Sequence, residues 1–336
     1  MKKLAIVVLN WNGQKFLENF LPALVQYAPN YTEIIVADNA STDHSVAFIK
    51  ENFSSVRIIL NQKNGGFSKG YNDALRQVEA EYYCLLNSDV AVTENWIEPI
   101  MKILDDDPTV AVVQPKLLSY ANPKKFEYAG ASGGFIDYLG YPFCRGRFFE
   151  QLEDDEGQYD EAMEVFWATG AAMFVRSSIY HALNGLDEDF FAHMEEIDFC
   201  WRVKNIGYKI MVQPKSVVYH IGGGTLPKNN AKKTYLNFRN NWFLLLKNLP
   251  KRKLLPIFLL RFPLDHIAAL FFLSQGHFRD TWAVYRAQLS CLRMFRKIKR
   301  KREKIDEGVF LQSFQKSIVF QHYIKGKRKF DGESLQ

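Results

Sequence analysis

Tyr82-Tyr83-Cys84-Leu85-Leu86-Asn87-Ser88-Asp89 reads as a strand buried on both faces: five aromatic or apolar residues in a row, then a polar corner. An open α/β sheet takes its ligands beyond the carboxyl ends of its parallel strands, so a carboxylate in that corner points toward a binding crevice. Asp89 is therefore a candidate ligand for a metal or for the phosphate side of a substrate. The alternative is that Asp89 turns the chain or caps the next helix.

The flanking sequence repeats this unit. Residues 4–9 form a β-branched run that stops at Asn10-Trp11-Asn12-Gly13, and Phe16, Phe20, Leu21, Leu24 and Val25 follow at helical spacing. A second strand, 33–37, ends in Asp38-Asn39, and Ser41-Thr42-Asp43 offers N-caps for a helix to about residue 53. A third, 56–60, ends in Asn61; Asn64-Gly65-Gly66-Phe67-Ser68-Lys69-Gly70 then leads into a helix over 71–78. Thr93 is positioned to cap a helix over 96–104, and 110–115 is a further strand. This alternation predicts an α/β fold: right-handed crossovers and a mainly parallel sheet flanked by helices, with Asn10, Asp38, Asn61 and Asp89 at one edge. An Asp ending the second strand can accept from ribose hydroxyls or a base N–H, or it can cap the helix behind it. Neither the dinucleotide fingerprint nor the P-loop ending is present.

A chain of 336 residues with 47% hydrophobic content can bury one large core or two smaller ones, and two regions are expected, 1–227 and 228–336. Lys and Arg exceed Asp and Glu by 43 to 37, and the excess is late: Arg293 to Lys304 holds eight basic residues and one acidic. Cys84, Cys144, Cys200 and Cys291 form no metal spacing and read as reduced core thiols of a cytoplasmic protein. No secretory signal is expected, because the apolar run after Met1-Lys2-Lys3 ends at Leu9. The C-terminal apolar stretches are broken by Arg261, Pro263, Asp265 and His266 and do not predict a membrane span.

Residues 118–164, rich in Gly, Pro, Asn and acidic side chains, are expected to be irregular and partly mobile. A strand returns over 165–175, where Gly170 permits close approach and Trp167 offers either a sugar-stacking face or core packing. Next, Glu195-Glu196-Ile197-Asp198-Phe199-Cys200-Trp201-Arg202 opens a helix with three carboxylates in its first turn. Asp198 and Arg202, four apart, can pair on one face; Glu195 and Glu196 lack such a partner and can serve as a general base. His220 ends a strand before Gly222-Gly223-Gly224-Thr225, a position that suits a metal ligand as well as an ordinary histidine.

Taken in order, Val8-Leu9-Asn10-Trp11-Asn12-Gly13, Val36-Ala37-Asp38-Asn39-Ala40-Ser41-Thr42-Asp43, Asn64-Gly65-Gly66-Phe67, Leu85-Leu86-Asn87-Ser88-Asp89, Glu195 to Arg202 and Val218-Tyr219-His220 resemble the family 2 glycosyltransferases. These are inverting enzymes of the GT-A fold, and the likeness is greatest to the rhamnosyltransferase-like branch that builds bacterial surface polysaccharides. The resemblance covers about residues 3–225. It implies that Asn10, Asn12, Asp38, Asn64, Gly65, Gly66 and Phe67, with Asn87 and Asp89, hold a nucleotide-diphosphate sugar donor. It also implies that Asp89 and His220 bind a divalent metal, Mn²⁺ or Mg²⁺. Asn87 replaces the first Asp of the family's Asp-x-Asp motif, so Asp89 carries most of that coordination. The base maps onto Glu196, with Glu195 and Asp198 as alternatives, since this chain has Glu-Glu where the family has Glu-Asp. Trp167, Gly170, Trp201 and Arg202 fall on the side of a glycan or lipid-linked glycan acceptor.

The basic and aromatic C-terminal helices fit either a helical subdomain on the sheet or a surface lying peripherally on the anionic inner face of the cell membrane. No nucleic-acid recognition motif is present. Two other functions compete: sugar nucleotidyl transfer, which wants a glycine- and arginine-rich first loop, and an inactive protein that binds nucleotide sugars or glycans.

Overall fold

The computed structural model describes residues 2–222 and 230–330. Gly223, Gly224 and Thr225 of the expected glycine loop, and the boundary expected after residue 227, lie outside the described residues.

A nine-stranded mixed sheet carries the fold. Strands β1 (Lys2–Asn10), β2 (Thr32–Asp38), β3 (Arg57–Leu60) and β4 (Ala80–Asn87) are mutually parallel in the order β3-β2-β1-β4. Crossover helices α1 (Gln14–Tyr27), α2 (Ser45–Asn52) and α3 (Gly66–Leu75) connect them. Their apolar stripes and the β-branched strand interiors bury each other, which is the expected α/β arrangement. Short β5 (Val90–Val92), α4 (Glu98–Asp106) and β6 (Val110–Ser119) come next in the chain. The sheet is completed by β12 (Ala172–Arg176), antiparallel to both β4 and β6, and by β13 (Lys209–His220), parallel to β6. The strand that His220 ends is long and bulged, with register shifts after Lys209 and after Gln213. Its last turn pairs antiparallel with β5, His220 opposite Val90, and so brings His220 beside Asp89.

Three sequence expectations change. Ser41 does not cap α2, because its Oγ accepts from Asn10 and Asn12; Asp43 accepts from the Gln14 amide and also, at 3.1 Å, from the amide of Ser45, where the helix starts. Thr93 donates to Val217 O at 2.8 Å rather than capping α4. Most of all, residues 118–164 are not wholly irregular. They contain a four-stranded antiparallel sheet, β7 (Gly134–Ile136), β8 (Pro142–Cys144), β9 (Arg147–Phe148) and β10 (Gln151–Leu152), followed by β11 (Met163–Glu164) on the edge of the main sheet. Strands of two or three residues are too short to display a period of two. The β8–β9 turn needs Gly146 at φ +92°, where a Cβ would stand 2.4 Å from Phe126 Cγ.

Helix α5 (Ser177–Ala182) and a 3₁₀ turn at Glu188–Phe190 precede α6 (Glu195–Asn205). The C-terminal helices α7 (Ala231–Asn248), α8 (Lys251–Ser274) and α9 (Phe278–Arg300) follow; α7 packs on α6, and Trp242 to Leu246 join the main core. An open cavity of about 780 Å³ lies where α9 approaches residues 187–189. Its walls are ion-paired to one another, Lys247 and Lys301 with Asp187 and Lys297 with Asp189, so it marks the docking of the C-terminal helices.

The apolar stretch expected to be interrupted is one unbroken helix. Pro256 and Pro263 lie within α8, and among the described residues it is the one helix long and apolar enough to cross a membrane by length and composition. Its polarity is inverted. Ile257, Arg261, Asp265 and Ala269 face inward, with Arg261 donating to Leu139 O at 2.8 Å and Trp242 Nε1 to Asp265 at 2.7 Å. Leu255, Leu259, Leu260, Phe262, Ile267, Leu270 and Phe271 face outward, each at least half exposed.

Candidate active site

At the carboxyl ends of β1–β3 a lattice of short amides frames one end of the site. Asn10 Nδ2 donates to Asp38 Oδ1 at 3.0 Å and to Ser41 Oγ at 3.2 Å, and Asp38 Oδ2 accepts from the Ser41 amide at 2.9 Å. Each carboxylate oxygen of Asp38 still has a lone pair to offer. Asn12, at the exposed rim, accepts from the Thr42 amide at 2.7 Å. Asn39 donates to Asn64 Oδ1 and to Gly66 O, both at 3.1 Å, while Asn61 donates to Asn39 Oδ1 at 3.3 Å and to Gly70 O at 3.1 Å. These bonds hold the Asn64–Phe67 turn against β2. Gly66 is required there: it has φ +86°, and a Cβ would meet Phe191 O at 2.5 Å.

Beyond β4, past Asn87, stands a relay of three side chains. Asp89 Oδ1 lies 3.1 Å from His220 Nε2, and His220 Nδ1 lies 3.3 Å from Glu127 Oε2; all three residues are buried. Burial alone would pull the imidazole's pKa down, but pairing with Asp89 and Glu127 pushes it up to about 10, so the ring stands here as an imidazolium and a metal at Nε2 would have to displace that proton. A carboxylate behind a histidine that faces a second carboxylate is the usual outer support of a metal-binding imidazole. Among the described residues no three His, Cys, Asp or Glu side chains surround one ion-sized point. Two protein donors suit a hard cation that takes its other ligands from substrate phosphates and water.

The third component is the start of α6. Glu195 is fully buried, whereas Glu196 keeps part of its surface accessible; each has one buried carboxyl oxygen without a partner. Burial raises the Glu196 carboxyl to about 7 against the pull of the amides at the helix start. Burial and the neighbouring Glu196 raise Glu195 further. Gly170 fits between Phe67 and the base of the Glu196 side chain, since a Cβ there would lie 3.0 Å from Phe67 Cζ and 3.7 Å from Glu196 Cβ. The Phe67 amide in turn donates to Phe191 O at 2.7 Å, so the nucleotide-side turn and the α6 approach are stitched together. On the other side, Ala171, next to Gly170, accepts from the Asn87 amide at 2.9 Å, which ties the strand end leading to Asp89 to the start of α6.

Other expected residues do not reach it. Asp198 accepts from Arg202 at 2.9 Å, Lys247 at 2.8 Å and Asn248 at 2.9 Å; burial favours its neutral form, but Lys247 and Arg202 hold the carboxyl below its ordinary value. It is a structural hub rather than a base. Arg202 also donates to Leu183 O and Gly185 O and is buried, so all three of its nitrogens are engaged within the fold. Trp167 and Trp201 are buried core residues; the indole of Trp167 donates to Phe135 O at 2.8 Å and lies against Gly134. Their apolar surroundings offer no ring face to a sugar. Conversely, Asn39, Glu127 and Asn240 matter here and were not singled out. Asn39 stands next to Asp38 in the sequence, but nothing local distinguishes Glu127 or Asn240.

Residues 5–176 match the model of Glycosyl transferase family 2. The chain belongs to that family. This glycosyltransferase is 23% identical over 240 residues to the N-acetylglucosaminyl-diphospho-decaprenol L-rhamnosyltransferase of Mycobacterium tuberculosis, covering 65% of this chain and 75% of the relative. It is 21% identical over 244 residues to a low-salt glycan biosynthesis hexosyltransferase of Haloferax volcanii, covering 71% and 74%. Its fold is that of GT-A transferases: the mannosyltransferase of Pyrobaculum calidifontis, solved with GDP-mannose and Mn²⁺, superposes with a TM-score of 0.53 at 12% identity over 97% of this chain and 88% of that one. GalNAc-T7, solved with UDP, GalNAc and Mn²⁺, gives a TM-score of 0.61 at 14% identity over 75% and 49%. As a family 2 glycosyltransferase the chain acts in glycan biosynthesis.

Proposed function

We propose that the protein is an inverting, metal-dependent transferase that moves a sugar from a nucleotide-diphosphate donor to a hydroxyl of a lipid-linked glycan at the cytoplasmic face of the cell membrane. The observation that carries this reading is the partly accessible Glu196 set against Gly170 and Phe67, with the next residue, Ala171, accepting at 2.9 Å from the amide of Asn87, two residues before the Asp89 of the Asp89–His220–Glu127 relay. The amide lattice of Asn10, Asp38, Asn39 and Asn64 would receive the nucleoside. A divalent cation held by Asp89 and His220, beside Asn87, would neutralise charge developing on the departing diphosphate. Glu196 takes the proton of the acceptor hydroxyl as its oxygen bonds to the anomeric carbon; the carbon–oxygen bond to phosphate breaks, and its electron pair leaves with the nucleoside diphosphate. Direct displacement from the opposite face inverts the anomeric centre. Incubation with a panel of nucleotide sugars and a prenyl-diphosphate-linked sugar should give product with one donor, increased severalfold by Mn²⁺ or Mg²⁺. Turnover with no donor, or full turnover in EDTA, rejects the reading or its metal.

The inverted polarity of α8 supports the membrane part. Seven large apolar side chains point outward on a helix that begins with Lys251, Arg252 and Lys253, and the basic stretch from Arg293 is close in the fold through the packing of α8 on α9. Such a surface suits the interface of an anionic bilayer. Replacing Leu259, Phe262 and Leu270 together by Gln should release the protein from sedimenting vesicles containing phosphatidylglycerol while turnover on a short-chain acceptor persists. Unchanged sedimentation rejects the surface; release accompanied by a change from dimer to monomer assigns it to a second copy instead.

A further inference from the structure

Arg147, in β9, is buried to within 8% of its surface. Removing a guanidinium from water is costly unless a counter-charge comes with it. The chain follows that rule at its other buried cations near carboxylates: Lys116 with Asp155 at 2.8 Å, Lys204 with Glu164 at 2.5 Å, Lys247 and Arg202 with Asp198, and Arg261 with Asp265 at 3.4 Å. Arg145 of the same hairpin has no carboxylate but donates to the Ser132 carbonyl at 2.7 Å. Arg147 has less. Its Nη2 meets the Cys144 thiol at 3.6 Å, the guanidinium also reaches Tyr128, whose ring centre lies 4.4 Å away, and Nε is buried with no partner among the described residues.

Its location gives this deficit a meaning. Tyr128, over which the guanidinium lies, directly follows Glu127, the residue 3.3 Å behind His220 and so behind Asp89. Arg147 is thus held on the Glu127 side of the candidate reaction centre. A buried, planar, five-donor cation with unused N–H groups suits a tetrahedral oxyanion. We propose that Arg147 is the anion anchor of this site, positioned to take a phosphoryl group that one of the two substrates carries. The proposal rests on the glycosyl-transfer reading and deepens it. The group is either the diphosphate of the donor or the phosphate of a lipid-diphosphate acceptor, two sources of one chemistry.

The test is calorimetric titration of the full-length protein with inorganic pyrophosphate in EDTA, which needs neither turnover nor metal. Wild type should bind saturably, Arg147→Gln roughly tenfold or more weakly, and Arg147→Lys in between, with all three showing the same circular dichroism. Two further arms identify the source. Weaker UDP or GDP binding in Arg147→Gln assigns the donor diphosphate. Unchanged nucleotide binding, with a raised KM for a prenyl-diphosphate sugar but not for the same sugar as an alkyl glycoside, assigns the acceptor. Equal pyrophosphate affinity in wild type and Arg147→Gln, or no binding to wild type, overturns the proposal and leaves Arg147 as a distant counter-charge for Glu127. If pyrophosphate binding depends on Arg147 but no nucleotide sugar turns over, it is the glycosyl-transfer reading that fails.

Discussion

Glu196→Gln is expected to lower sugar transfer by roughly a thousandfold, within the range that a general base contributes, while nucleotide binding stays close to wild type. Glutamine keeps the shape and the buried oxygen but has no lone pair basic enough to take the proton. The pH profile provides an independent check. Burial lifts this carboxyl to about 7, and the base form exists above that value, so wild-type kcat should rise through neutrality and level off on the alkaline side. An unburied glutamate would show this limb near pH 4.3. The same shift has a consequence for stability: a raised carboxyl pKa means that the native state holds a proton the unfolded chain releases. Its stabilising contribution is therefore complete at low pH and is lost as pH climbs through about 7. Glu196→Gln should accordingly be at least as stable as wild type at pH 8. Unaltered turnover in the variant would remove Glu196 from the mechanism and return the role to Glu195.

Much of this was legible from strand ends. The β1, β2 and β4 runs are long and apolar, and each stops at an acceptor-bearing residue, so Asn10, Asp38 and Asp89 could be placed at one sheet edge from local pattern alone. The hairpin sheet over 134–152 was not legible, because strands of two or three residues carry no periodicity and their stability comes from burying Phe135 and Phe143 against the C-terminal Phe314 and Phe330, and Phe148 against His322. The aromatics Trp167 and Trp201 misled for the opposite reason. An exposed sugar platform and a core indole have the same composition, and only the close approach of Gly134 to Trp167 and of Phe166 to Trp201 separates them. Glu127 escaped notice because its value comes from a histidine 93 positions later, which the β5–β13 pairing brings back beside Asp89.

The second large effect is expected from a residue outside the region the family model covers. The approach to α6 is strained: Phe191, His193 and Met194 all have positive φ, at 67°, 70° and 71°, and for side chains other than glycine each such residue costs on the order of 1 kcal/mol. What holds this segment is α7. Asn240, fully buried, directs its amide at Phe190 O, Ala192 O and His193 O at 2.9, 2.8 and 2.7 Å, and Arg239 donates to Asp189 O and Phe190 O. An NH₂ group facing three carbonyls cannot be replaced by a carboxylate without repulsion. Asn240→Asp should therefore lower kcat about a hundredfold with little change in donor KM, since the nucleotide lattice is built from other elements. A purely structural defect would lower stability and leave the pH profile alone. Loss of positioning predicts more: a loosened loop admits water to Glu196, and the acid limb should move from about 7 down toward the ordinary carboxylate range. Asn240→Ala, which removes the donors without adding charge, should show the same displacement in milder form. If both variants keep the wild-type limb and kcat, α7 merely packs against the catalytic unit. If the limb moves, a fragment containing only residues 1–222 would carry every family motif and still transfer sugar poorly, because the geometry of its base depends on a helix that follows the motifs in sequence.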